Sequence, residues 1–129
     1  MLAVDTNLVV RFLTRDGEEQ FVRADRLIRD HDVYVPVTVL LEAEWVLRSA
    51  YGYLQARVVQ ALQGFAALSR VMIEDASTTA EALGWAAAGM DFADALHLAR
   101  TEHCDAFISF DRRLAAVAAR VGSPRVRAP

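Results

Sequence analysis

Five acids occupy positions where a carboxylate needs a reason to be. Asp5 follows the apolar run Leu2-Ala3-Val4, and Asp111 lies three residues after Ile108, the end of another apolar run. In an open parallel sheet, ligands bind outside the carboxyl ends of the strands, so an acid just past a strand is aimed at that edge. Glu42 lies inside Val37-Thr-Val-Leu-Leu-Glu-Ala-Glu-Trp-Val-Leu47, and a carboxylate in apolar surroundings is expensive unless it is paired or bound to a metal. Glu44 points about 200° away around the same helix and is expected at the rim or in solvent. Asp91 and Asp94 are one i,i+3 step apart on a helix face. Asp91 suits a helix cap or a supporting role, because an acid there complements the helix dipole. Capping explains Asp94 less well, and it is expected to be a ligand.

Gathering Asp5, Glu42, Asp94 and Asp111 carries an electrostatic cost. Two carboxylates about 4 Å apart repel by on the order of 4 kcal/mol at an effective dielectric of about 20, and several such pairs rival a domain's stability of roughly 5–15 kcal/mol. A divalent cation offsets that repulsion. Oxygen-only ligation, with no His or Cys set at zinc spacing, points to magnesium or manganese. Such an ion lowers the pKa of a bound water and neutralises charge on a phosphate, so the expected chemistry is phosphodiester hydrolysis.

The elements that must position these acids alternate. Leu2-Ala3-Val4 predicts a buried strand leading into a helix marked by Leu8, Val9, Phe12 and Leu13. A helix over Glu18–Asp30 precedes a strand at Val33–Pro36. Thr38 is placed to cap a helix running to about Ala50 that Gly52 ends, and a further helix spans about Leu54–Leu68. After the strand Val71–Ile73, Ser77 or Thr78 caps a helix that Gly89 ends. Helical spacing resumes over Asp91–Glu102, then comes a strand at Ala106–Ile108, a helix at Arg112–Arg120 and a short fifth strand over Pro124–Val126. Mostly apolar strands separated by helices predict an α/β fold, a three-layer α/β/α sandwich on a parallel sheet of four to five strands. With no repeat, linker or low-complexity tract, residues 1–129 read as a single domain.

Composition narrows the function classes. The chain is 54% hydrophobic and carries a net charge of −3, so any nucleic acid is held locally rather than by a general basic excess. All 14 basic residues are arginines, which removes mechanisms that need a lysine, the P-loop among them. No apolar run approaches the roughly 20 residues of a membrane span. No signal-type segment follows Met1, so a cytoplasmic protein is expected. The single cysteine, Cys104, is expected to be small, half-buried and structural.

Taken together, Asp5-Thr6-Asn7, Glu42 in Leu41-Glu-Ala-Glu-Trp-Val-Leu47, Asp91-Phe-Ala-Asp-Ala-Leu-His-Leu-Ala99 and Ser109-Phe-Asp111-Arg-Arg-Leu114 resemble a PIN-domain ribonuclease, and more narrowly the VapC toxins of bacterial toxin–antitoxin pairs. The resemblance covers nearly the whole chain, with its four motifs in order. It implies a five-stranded parallel PIN fold, metal-dependent endoribonuclease activity on RNA, with tRNA or rRNA as common targets, homodimerisation, and inhibition by a cognate VapB-type antitoxin. Carried over by position, Asp5 and Asp94 are the principal metal ligands and Glu42 and Asp111 complete the pocket. Asn7 and Ser109 become polar supports.

The remaining polar residues have two readings each. Thr6 and Asn7 suit helix caps, and Asn7 equally suits orienting a carboxylate. His97 fits a packed or supporting role, while His31 and His103 read as exposed. One of Arg112 and Arg113 can reach a phosphate, with Arg11, Arg15 and Arg48 as further rim candidates. Trp45 and Trp85 read as core or dimer interface. Two other function classes compete. A catalytically inactive PIN-like scaffold or RNA-binding module would be favoured by a missing acid, and all four are present. A phosphoaspartate receiver or phosphatase ordinarily relies on a lysine, which this chain lacks.

Overall fold

The computed structural model describes residues 1–123 and 125–129, and the chain divides into two units, Met1–Ala76 and Ser77–Pro129. In the first, the order is β1 (Leu2–Ala3), α1 (Thr6–Thr14), α2 (Glu18–Asp30), β2 (Val33–Val35), α3 (Val37–Ser49), α4 (Gln55–Ala66) and β3 (Val71–Ile73). Helix α5 (Ala76–Ala87) begins at the last residue of the first unit and continues into the second, which goes on with α6 (Phe92–Ala99), β4 (Phe107–Ile108), α7 (Arg112–Arg120) and β5 (Val126–Arg127).

All pairings among the described strands are parallel. Strands β1-β2-β3 form one sheet, with Leu2 opposite Val33 and Val33 opposite Val71, and β4 pairs with β5 with Phe107 opposite Val126. A parallel pair needs a crossover of a dozen or more residues, and the helix pairs α1–α2 and α3–α4 supply it. The fold is the expected α/β arrangement of parallel strands and intervening helices.

Apolar spacing explains which faces are buried. In α3 the buried positions are Val37, Leu40, Ala43, Glu44 and Leu47, a stripe at i, i+3, i+4 and i+7 spacing. Strand β2 buries Val33 and Val35 completely, and β3 buries Val71 and Ile73 while Met72 faces out. In the second unit, Phe92, Ala95, Leu96 and Leu98 of α6 lie buried, as do Leu83 of α5 and Leu114 of α7.

Several local expectations are corrected. Leu2 and Ala3 of β1 are exposed, and burial begins at Val4. Thr38 does not cap α3. The helix starts at Val37, whose N–H donates to Glu74 Oε1 at 2.8 Å, so a side chain from beyond β3 takes the capping role. Helix α5 starts at Ala76, which places Ser77 and Thr78 inside it. Of the strand expected at Pro124–Val126, Pro124 lies outside the described residues and β5 occupies Val126–Arg127. Cys104 is exposed rather than half-buried. Trp45, at 59% exposure, is not a core residue.

Candidate active site

In the first unit the site begins where β1 gives way to α1. A helix start leaves N–H groups without intrahelical partners. Asp5 meets that need as N-cap, in extended backbone geometry, with Oδ1 accepting from Leu8 N at 2.9 Å. Asp5, rather than Thr6 or Asn7, is thus the cap, and it stays exposed. Thr6 has a different task. Its Oγ1 donates to Glu42 Oε1 at 2.5 Å, across 36 positions of sequence, and so ties the start of α1 to the middle of α3.

Asp5, Thr6, Asn7 and Glu42 line one open cleft of about 540 Å³ between α1 and α3, with Arg11 and Tyr51 also on its wall. That wall is braced. Asp16 Oδ2 accepts from Arg11 Nη1 at 2.7 Å and from the Tyr51 hydroxyl at 2.8 Å. The hydrogen bond to Asp16 is the main cause that pushes the Tyr51 phenol above its ordinary range, with burial adding to it.

The apolar setting inferred for Glu42 is not what marks it. Glu42 is exposed, and Glu44 is the buried acid, at 1% exposure. Arg48 makes this tolerable, its Nε lying 2.5 Å from Glu44 Oε2 one helical turn on. Arg48 is thereby a structural partner rather than a free rim residue. Arg15, another rim candidate, sits over the Phe21 ring at 4.9 Å.

In the second unit, Asp91 is the N-cap of α6, and its Oδ2 accepts from Asp94 N at 3.2 Å. Asp94 is half-buried in the first turn. Burial chiefly, then the carboxylates of Asp91 and Asp111, raise its pKa above the usual 3.8, and His97 opposes them. Asp111 caps α7, accepting at Oδ1 from Arg113 N at 2.9 Å and Leu114 N at 3.1 Å, while its own N–H donates to Ser109 Oγ at 3.0 Å. His97, Arg112 and Arg113 are exposed around this group.

Each unit thus brings together its own acids: Asp5 with Glu42, and Asp94 with Asp91 and Asp111. Within either unit, among the described residues, no three His, Cys, Asp or Glu side chains stand close enough to hold a metal as they are placed. The donors are all carboxylate oxygens, which suits a hard divalent cation, and the mutual repulsion felt by Asp94 is the kind that such a cation offsets. Two features are absent from the expectations drawn on sequence. The Glu44–Arg48 spacing, acid four residues before base, is a legible signal. The Thr6–Glu42 bond has none.

No curated protein and no solved structure matches the chain. The PIN-domain family model does match, over residues 2–120, an interval that contains Asp5, Glu42, Asp94 and Asp111. PIN domains are typically nucleases and generally use divalent metals. With all but the first residue and the last nine inside that match, the chain belongs to the PIN-domain family.

Proposed function

We propose that this PIN domain is a metal-dependent endoribonuclease and the toxin of a toxin–antitoxin pair, hydrolysing phosphodiester bonds in tRNA or rRNA. It acts in the cytoplasm as a homodimer and is silenced by a VapB-type antitoxin. Asp5 and Asp94 are the principal ligands of magnesium or manganese, Glu42 and Asp111 complete the acidic pocket, and Asn7, Asp91 and Ser109 steady it. The observation that carries this reading is the placement of Asp94, half-buried and under the charge of both Asp91 and Asp111. Asp91 and Asp111 cap helices, whereas Asp94 has no capping role to offset its burial and their charge.

When bound, the cation would lower the pKa of a water and neutralise charge on the scissile phosphate. The chain's own work is positioning. Asp91 holds the start of α6 and so the Asp94 backbone, Ser109 holds the Asp111 backbone, and Thr6 holds one Glu42 oxygen and leaves the other for the pocket. Thr6→Val, which keeps the shape and removes the donor, is expected to lower the cleavage rate on the order of tenfold, as loss of an outer partner of a metal ligand does. An unchanged single-turnover rate would remove Thr6 from the site.

Metal removal tests the whole reading. Cleavage of a defined structured RNA should vanish in EDTA and return with excess magnesium. Cleavage that persists in EDTA would sink the mechanism. Expression of the chain should arrest growth, and a co-expressed neighbouring reading frame should restore it. Unchanged growth with verified folded protein would favour the inactive scaffold.

A further inference from the structure

A second groove, of about 480 Å³, lies between α1 and α2 and shares Asp5, Asn7 and Arg11 with the first cleft. Its α1 wall is Asn7, Leu8 and Arg11, and its α2 wall is the stripe Gln20, Arg23, Ala24 and Leu27, all at helical spacing. The packing of Phe12 on Phe21, with ring centroids 6.3 Å apart, holds the two helices together.

Its chemistry differs from that of the acid-lined cleft. Apart from Asp5 at its mouth, the groove has no acid among the described residues. The acids of α2's first turn, Glu18 and Glu19, lie outside it. Leu8, Ala24 and Leu27 supply an apolar floor. Among the described residues, the side chains of Asn7, Gln20 and Arg23 have no protein partner, and Gln20 and Arg23 are exposed. Arg11 is engaged by Asp16. An apolar floor with free amide edges and a free guanidinium suits a base, its hydrogen-bonding edge and a phosphate. In a chain of net charge −3, the Arg23 guanidinium is the cation of this groove left for a phosphate, in a groove that also includes the proposed metal ligand Asp5.

We propose that the α1–α2 groove receives the nucleotide next to the scissile phosphate of single-stranded RNA. Arg23 binds its phosphate and Gln20 contacts its base edge, making Gln20 a specificity-determining residue. This rests on the nuclease reading for the location of the scissile phosphate, and the groove itself is tested without catalysis.

The experiment measures binding of the full chain, in EDTA, to short fluorescent oligoribonucleotides of uniform A, C or U sequence by anisotropy across a salt series. Arg23→Ala should weaken all three by a similar factor, on the order of tenfold, and flatten the salt slope by about 0.7. Gln20→Leu should reorder the three bases and leave the slope unchanged. Glu18→Ala, on the same helix but outside the groove, should not weaken binding. Unchanged affinity and slope in Arg23→Ala overturns the inference even if the wild-type chain cleaves RNA, whereas Arg23-dependent binding by a chain that never cleaves overturns the nuclease reading alone. An acidic peptide that binds in an Arg23-dependent way, where the RNAs do not, makes the groove a protein-docking surface and also overturns the inference.

Discussion

Asp94→Asn is expected to lose RNA cleavage by about a thousandfold and, in EDTA at neutral pH, to melt at a higher temperature than the unsubstituted chain. The first effect follows from removing a charged metal ligand, worth roughly 4 kcal/mol of transition-state stabilisation at about 1.4 kcal/mol per tenfold. The second follows from the like charge and burial that Asp94 endures. Its folded pKa is raised above the usual 3.8, by burial first and by Asp91 and Asp111 next. Between the unfolded and folded values the native state therefore holds the extra proton, and stability falls as pH rises through that window. Above it the full penalty is present. Asparagine keeps the shape and carries no charge, so the advantage of the variant should grow as pH rises from about 3.8 and then level off. Melting curves in EDTA across that range, with cleavage assays in magnesium, check both halves. A variant that melts lower than wild type at neutral pH would mean that Asp94 serves the fold, and retained cleavage would remove it from the metal site.

Arg48→Ala should cost about 3–5 kcal/mol, the range for stripping the partner from a buried charge. Glu44 is 1% exposed and its carboxylate rests on Arg48 Nε at 2.5 Å, so truncation leaves a carboxylate with neither water nor its ion-pair partner. Against a domain stability of roughly 5–15 kcal/mol, that loss is large enough to leave the chain partly unfolded at growth temperature. Replacing both, Glu44→Leu with Arg48→Met, should restore most of the stability or exceed the original, because an apolar pair avoids desolvating two charges. Urea titrations of the single and double variants distinguish the outcomes. A cost below about 1 kcal/mol for Arg48→Ala would mean that water or another donor already serves Glu44. The same experiment separates stability from chemistry, since Glu42, two residues away, is exposed and belongs to the cleft.

The site's legibility in sequence varies with the range of the interaction that places each residue. Asp5, Asp91 and Asp111 stand at helix starts, where the unpaired N–H groups of the first turn call for a short acidic side chain within three positions. Such a demand is local and marks Asp91 as a cap, whereas the residues offer Thr6 and Asn7 for the first helix and mark Asp5 and Asp111 only by their strand-end positions. Local signals also set the helix over Arg112–Arg120 and the one over Glu18–Asp30, found within their expected bounds because their apolar spacing is clear and their flanks are marked by Gly17, His31 and Asp111. Helix α3 is different. Its run from Val37 to Leu47 is apolar on several sides, so periodicity alone leaves its phase undecided. Glu42 then reads as the acid in apolar surroundings, although the packed stripe passes through Glu44.

The sequence by itself determined the order of the parallel α/β elements, the four PIN motifs and Asp91 as the cap of its helix, since turns, caps and periodicity act over a few residues. Only the tertiary structure decided that Glu44 is buried and Glu42 exposed, that Thr6 holds Glu42 across 36 positions, that Glu74 caps α3, and that α1 lines two grooves of unlike charge. Each of those depends on which distant segment arrives alongside, and burial and hydrogen bonding between such segments are set by packing, which no local pattern encodes.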